Sequence, residues 1–240
     1  MAFMGIGAGS LGAGELPIYT VERRCEEIVV DGILDDPDWA AAKSLGELEF
    51  PWSEPGESTE VKMLWDDEFL YVSFFCQDSF IAASHYNTNS STYKDDCVEM
   101  FWNPAPQKDD WYYIFEINCF GIPLSVYENH ERSIYVRESR VLVPHIAQSI
   151  QGTVNDPTDR DTSWVIEMAI RFRDYQELTD TPIPKSGDMW RVALNRRNRV
   201  RGREDQTRSM WSPVEPPIRT FHSYEHFGRV YFCDTPVNSN

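Results

Sequence analysis

The chain has 240 residues, 41% of them hydrophobic and 13% aromatic, with 39 acidic against 22 basic side chains for a net charge of −17. So much apolar side chain can offset the entropy of ordering, which excludes a disordered polypeptide. The charge repels phosphate backbones and anionic membranes, which sets nucleic-acid binding aside and favours neutral or cationic ligands. No apolar run is long enough to cross a bilayer, so membrane insertion is not expected.

The first residues, Met1 to Gly14, are small, apolar and Gly-rich, without the basic start of a secretion signal, and residues 1–20 read as a flexible leader. Gly7-Ala8-Gly9-Ser10-Leu11-Gly12 spells a dinucleotide fingerprint but has no strand before it and no amphipathic helix after it, so it cannot aim backbone amides at a pyrophosphate. A single domain is expected over residues 21–233. Ile28-Val29-Val30 reads as a short strand turning at Asp31-Gly32, and Asp36-Pro37 as the cap and first position of a short helix whose Trp39 plugs the core. Val61–Trp65 and Phe69–Cys76 form a hairpin around the acidic turn Asp66-Asp67-Glu68. Residues 77–92 are a polar loop leading into the central hairpin.

That hairpin spans Tyr93 to Gly121. Alternation puts Val98, Met100, Trp102, Trp111, Tyr113, Phe115 and Ile117 on one face, which is a core. The other face carries Cys97, Glu99, Phe101, Tyr112, Ile114, Glu116 and Asn118. By pattern alone these carboxylates and this amide are the solvated side of an antiparallel sheet, although such a face can also hold a polar ligand. Pro123–Glu128 and Ile150–Val154 continue as strands, and Trp164–Phe172 alternates as a half-buried one. In Met189–Arg196 the residues Trp190, Val192 and Leu194 face inward while Arg191, Ala193 and Asn195 face the other way. Arg197, Arg199, Arg201 and Arg203 extend this face into a basic cluster in an acidic chain: either a solvated loop paired with nearby acids or a place for an anionic group such as a uronate. Arg229–Cys233 closes the fold, and the tail 234–240 is expected to be disordered. The pattern as a whole is all-β, an antiparallel, jelly-roll-like β-sandwich with short helices.

Enzyme signatures are missing. The histidines at 85, 130, 145, 222 and 226 include no HExxH, there is no GxSxG, and the five cysteines form no CxxC. Cys76, Cys97 and Cys119 fall in strand-like runs and read as reduced, buried hydrophobes. Glu99 and Glu116 offer a carboxylate pair of the kind that glycoside hydrolysis uses. Acidic runs such as Asp66-Asp67-Glu68 leave room for a structural calcium without matching an EF-hand loop. No cofactor is required.

The series Val30-Asp31-Gly32-x-Leu34-Asp35-x-x-x-Trp39, Val61-x-x-Leu64-Trp65-Asp66-Asp67-x-x-Leu70-Tyr71-Val72, Asp96-Cys97-Val98-Glu99-Met100-Phe101, Trp164-x-x-Glu167, Trp190-x-x-x-x-Asn195 and Phe227-Gly228-x-Val230 resembles family 9 carbohydrate-binding modules, especially stand-alone members. The resemblance spans about residues 28 to 233, its strength being the ordered series. It implies a β-sandwich that binds a mono- or oligosaccharide without catalysis, holding a sugar between two aromatic rings. Tyr93 and Phe221 match the clamp positions, and Trp211 is a further candidate ring. Glu99, Asn118 and Asn195 match polar positions of the binding face. Glu116 stands where the xylanase-associated type has Arg, which sets this chain's specificity apart, and Arg196 is a further candidate. The resemblance points to an extracellular role, whereas the missing signal leans to the cytoplasm. An enzyme using Glu99 or Glu116, and a haem-binding sandwich of the same fold, are the alternative readings.

Overall fold

A computed structural model describes residues 15–108, 110–129, 134–136, 144–179 and 181–237. The Gly-rich stretch 7–12 and the end of the tail lie outside these residues. In chain order the elements are β1 (Ile18–Arg23), α1 (Pro37–Ala41), β2 (Thr59–Trp65), β3 (Phe69–Gln77), β4 (Cys97–Asn103), β5 (Trp111–Asn118) and β6 (Pro123–Asn129). They continue with β7 (Ile134–Val136), β8 (His145–Gln151), β9 (Ser163–Arg171), α2 (Phe172–Thr179), β10 (Met189–Asn198), β11 (Thr207–Met210) and β12 (Gly228–Pro236).

The strands form one curled sheet in the order β7-β6-β5-β4-β10-β12-β1-β2-β3-β9-β8, with β11 paired to β10. Curling brings two halves face to face as a sandwich. Val98, Met100, Trp102, Tyr113, Phe115, Trp190 and Leu194 from one half meet Val61, Met63, Val72, Phe74, Trp164, Ile166 and Met168 from the other in one core. The alternation expected for the central hairpin is the one observed, with Val98 opposite Ile117, Met100 opposite Phe115 and Trp102 opposite Tyr113. All pairings are antiparallel except those of β1, which joins the halves by running parallel to both β12 and β2. Among the described residues no helix is long and apolar enough to cross a membrane.

Several local expectations shift. Strand β1 begins at Ile18, inside the stretch expected as leader, because its backbone is needed between β12 and β2. At the other end Asp234–Pro236 complete β12, and Val237 is buried, its N–H on the Arg23 carbonyl at 2.8 Å. The expected tail is thus in part structure, seated by pairing with β1 that is distant in sequence. Strand β8 lies at His145–Gln151, earlier than the expected Ile150–Val154, because residues 152–156 turn toward β9. Helix α2 follows β9 directly and places Phe172 and Tyr175 in the core.

Ile28–Val30 is not a strand. Within it Val29 N donates to Asp36 Oδ2 at 3.1 Å in place of a ladder partner, and just before it Asp38 Oδ2 accepts from Cys25 N at 2.5 Å and Glu26 N at 2.9 Å. Asp36 therefore precedes Pro37 without capping the helix with its side chain. Glu167, buried on β9, accepts from Asp31 N at 3.0 Å, Gly32 N at 2.9 Å and the Trp39 indole at 2.8 Å. One carboxylate thereby locks the turn and the short helix onto the sheet. Gly32 has φ +85°, and a Cβ there would sit 2.6 Å from the Gln148 carbonyl carbon, so only glycine fits.

Candidate functional site

The outer face of the β4/β5 hairpin is not solvated. Phe101, Tyr112 and Ile114 on it are covered by Val214, Phe221 and Phe227 from the segment between β11 and β12, forming a second apolar cluster. Residues 77–92 fold over its other end. Asp95 accepts from Ser84 N at 2.9 Å and His85 N at 3.1 Å, and Thr92 Oγ1 donates to the Glu116 carbonyl at 2.9 Å. The latter bond sets Tyr93, on the turn Thr92–Lys94, at the edge of the face.

Between these two covers lies a polar strip. Register places Asn195 of β10 opposite Glu99 of β4, and Glu99 opposite Glu116 of β5. The next row holds Arg208 of β11, Arg197, Cys97 and Asn118. Glu99 and Asn195 are 0% exposed, Glu116 is 4% exposed. Glu99 Oε1 accepts from Arg197 Nε at 2.5 Å, while its Oε2 and both amide atoms of Asn195 are buried with no hydrogen-bond partner. Native interiors rarely leave such groups unmet, since each costs about 1–3 kcal/mol.

Arg197 links the strip to the rings. Its guanidinium carbon lies 5.6 Å from the Tyr93 ring centre and 5.2 Å from that of Phe221, a cation–π arrangement with both. Burial works against its charge, but the Glu99 carboxylate outweighs that, with Glu116 adding to it, and the guanidinium is held above its usual pKa. The same crowding acts on Cys97, whose thiol is pushed well above the ordinary range by burial and then by Glu99 and Glu116. Phe221 in turn packs on Trp52 at 5.4 Å, and Arg208 lies 5.6 Å from the Trp52 ring.

The structure therefore brings Tyr93, Phe221, Glu99, Glu116 and Asn195 together. Phe221 is buried to 2% exposure, so its ring is not an open stacking surface; the half-buried rings of this region are Tyr93 and Trp52. Asn118 borders the strip but is used up by the protein: its Nδ2 donates to the His85 carbonyl at 2.8 Å and to Asp95 at 2.9 Å, and its Oδ1 accepts from Phe120 N and Ile122 N. It positions the covering loop. Arg196 stands apart, because the period of two turns it to the inner side of β10. There it bonds Asp78 at 3.0 Å, the Ser58 carbonyl at 3.0 Å and Thr59 Oγ1 at 3.1 Å, and is 1% exposed. Trp211 is also a packing residue, in the main core against Gly228, where a Cβ would lie 2.5 Å from the indole.

Sequence reasoning puts Arg197 in a basic cluster without setting it beside the two rings, and it misses Trp52. Arg197 follows from the alternation that puts Asn195 outward, two residues on. Trp52, in a Pro- and Gly-containing loop, carries no periodic signal. Among the described residues no group of three or more His, Cys, Asp or Glu side chains is placed to hold a metal ion.

Residues 30–234 match the family model described as carbohydrate family 9 binding domain-like. Among curated proteins none matches the chain. Solved structures with the same fold include a candidate carbohydrate-binding protein from Bacteroides uniformis, with TM-score 0.70 and 17% identity over 91% of this chain and 100% of that one. A family 9 carbohydrate-binding module from Caldicellulosiruptor kristjanssonii aligns in two complexes. Its cellotriose complex gives TM-score 0.62 and 14% identity over 90% of this chain and 94% of that one. Its glucose complex gives TM-score 0.63 and 14% identity over 92% and 98%.

Proposed function

The chain belongs to the carbohydrate family 9 binding domain-like family, and from that premise we propose that it binds a mono- or oligosaccharide on the polar strip of β4, β5 and β10 and releases it unchanged. The observation that carries this reading is the pairing of Asn195 with Glu99 Oε2. Both are fully buried, adjacent in register, and without partners among the described residues. Sugar hydroxyls donate and accept, so one diol satisfies a carboxylate oxygen and a primary amide together. The sugar ring takes the place beside Tyr93 and Phe221 that the Arg197 guanidinium holds, and the long side chain of Arg197, 19% exposed, turns outward. Glu116 stands beside Glu99 as a further acceptor. The glucose and cellotriose held by the Caldicellulosiruptor kristjanssonii module support a saccharide as the ligand class.

Calorimetry with glucose, cellotriose and a wider panel of oligosaccharides tests the proposal. Saccharide binding is expected, weakened about tenfold or more by Asn195→Ala, since a hydrogen-bonding group buried in the complex contributes about 1–3 kcal/mol. Absence of binding to every saccharide, or binding indifferent to Asn195→Ala and Glu99→Gln, would overturn it.

A further inference from the structure

Beside the polar strip opens a cleft of about 550 Å³ whose lining includes Trp52, Lys94, Arg199, Arg203, Arg208 and Arg219. Glu204 and Asp205 are its acidic members. Five cations against two carboxylates reverse the balance of a chain whose net charge is −17. A cleft lined mainly by one sign of charge focuses the field and raises the local concentration of oppositely charged ligands. Among the described residues none of these five cations has a carboxylate within ion-pairing distance, although other arginines of the chain, such as Arg23, Arg24, Arg196 and Arg197, do.

The repulsion is focused on Arg208. It stands opposite Arg197 in the β10/β11 register, and its guanidinium lies over Trp52. Burial, then the charges of Arg197 and Arg219, push its pKa below the usual value, with Glu99 and Asp205 acting in the opposite direction. The cleft is continuous with the site through Trp52, whose ring packs on Phe221.

Resting on the saccharide reading above, we propose that the ligand is an anionic saccharide, its carboxylate or sulfate group held in this cleft by Arg208 and Arg219 while a neighbouring sugar ring occupies the strip beside Tyr93. A planar guanidinium matches either group with paired hydrogen bonds. The anion also gives Arg197 a destination: a turn outward brings its charge toward an opposite one, so the ligand favours the open arrangement by the differential interaction that any such shift requires.

The test is calorimetry at about 20 mM and 300 mM salt, a range over which screening contracts severalfold in length, with three probes: cellotriose, an oligogalacturonate of the same length and a sulfated trisaccharide. The expected result is that an anionic probe binds about tenfold or more tightly than the neutral one at low salt, the range of one charge-assisted contact, and that salt erodes the difference. Tighter binding of the oligogalacturonate assigns a carboxylate, and of the sulfated probe a sulfate ester. The exposed substitution Arg219→Glu, and separately Arg208→Gln, should bring the anionic-to-neutral affinity ratio toward one. Equal affinities for all three probes, or a ratio that survives both substitutions, overturn the inference while the Asn195-dependent binding of a neutral sugar still stands. Binding of none of the probes overturns both. Urea unfolding of each variant separates a lost contact from a lost fold.

Discussion

Arg197 donates from Nε to Oε1 of Glu99 at 2.5 Å, so the guanidinium that lies against both Tyr93 and Phe221 is also the partner of a fully buried carboxylate. Removing it strands that charge. Arg197→Ala is expected to destabilise the fold by about 3 kcal/mol, within the range for breaking a buried pair. Adding Glu99→Gln should restore a part, so that a double-mutant cycle by urea unfolding gives a clear coupling energy. The same Arg197→Ala protein should bind a neutral sugar no more weakly than the parent, because no guanidinium has to be displaced; weaker neutral-sugar binding would contradict the displacement.

Gly32 and Gly46 both have positive φ, at +85° and +94°, but their surroundings differ. A Cβ at Gly32 meets the Gln148 backbone at 2.6 Å, whereas at Gly46 nothing lies within 4 Å. Gly46→Ala should cost about 1 kcal/mol, from the backbone conformation alone. Gly32→Ala should cost about 3 kcal/mol or more, with overpacking added and the bonds to Glu167 disturbed. Thermal unfolding of the two variants side by side checks the ordering, and equal losses would refute the steric account.

All five cysteines are free, with Cys76, Cys97 and Cys119 buried and Cys25 exposed. The thiolate is the reactive form. Burial pushes Cys76 up to about 12 and Cys97 and Cys119 above their ordinary value too, with nearby carboxylates acting in the same direction. A chromogenic disulfide reagent at mildly alkaline pH should therefore titrate Cys25 and the half-buried Cys233 in the native protein, and all five thiols only in denaturant. Rapid native labelling of Cys97 would show that the strip is open to solvent.

Asp66 heads the turn between β2 and β3. Its carboxylate accepts from Glu68 N at 2.8 Å, Phe69 N at 2.8 Å, Tyr71 OH at 3.0 Å and Arg24 Nε at 2.5 Å. Burial alone raises its pKa, but these donors outweigh it and the net shift is downward. The folded value being below the unfolded one, the contribution is present above the unfolded pKa of about 3.9 and is lost as pH falls through the folded pKa. Asp66→Asn should lower stability at neutral pH and flatten the acid limb of the stability–pH curve. A limb as steep as the parent's would assign acid sensitivity elsewhere.

The chain itself determined the alternation of its strands. Because side chains change face with every residue, the hairpin put Val98, Met100 and Trp102 on one side with Ile117, Phe115 and Tyr113 and turned Glu99 and Glu116 to the other, while the pairing of β10 with β4 that sets Asn195 beside them came from the tertiary structure. The all-β sandwich was legible for the same reason, and the ordered motif series pointed to the family. Alternation also implied Arg197 in place of Arg196, since the residue beside an outward Asn195 faces the core and the second faces out. Only the tertiary structure decided whether the outer face would be wet or dry. Segments 77–92 and 211–227, remote in sequence from each other, close over it, and pairing between chain ends sets β12 and β1 side by side. Such contacts leave no local period, and they are what turned a solvated carboxylate row into a buried strip with unmet hydrogen-bonding groups. They also brought Trp52 and Arg208 to its edge and spent Asn118 on the covering loop.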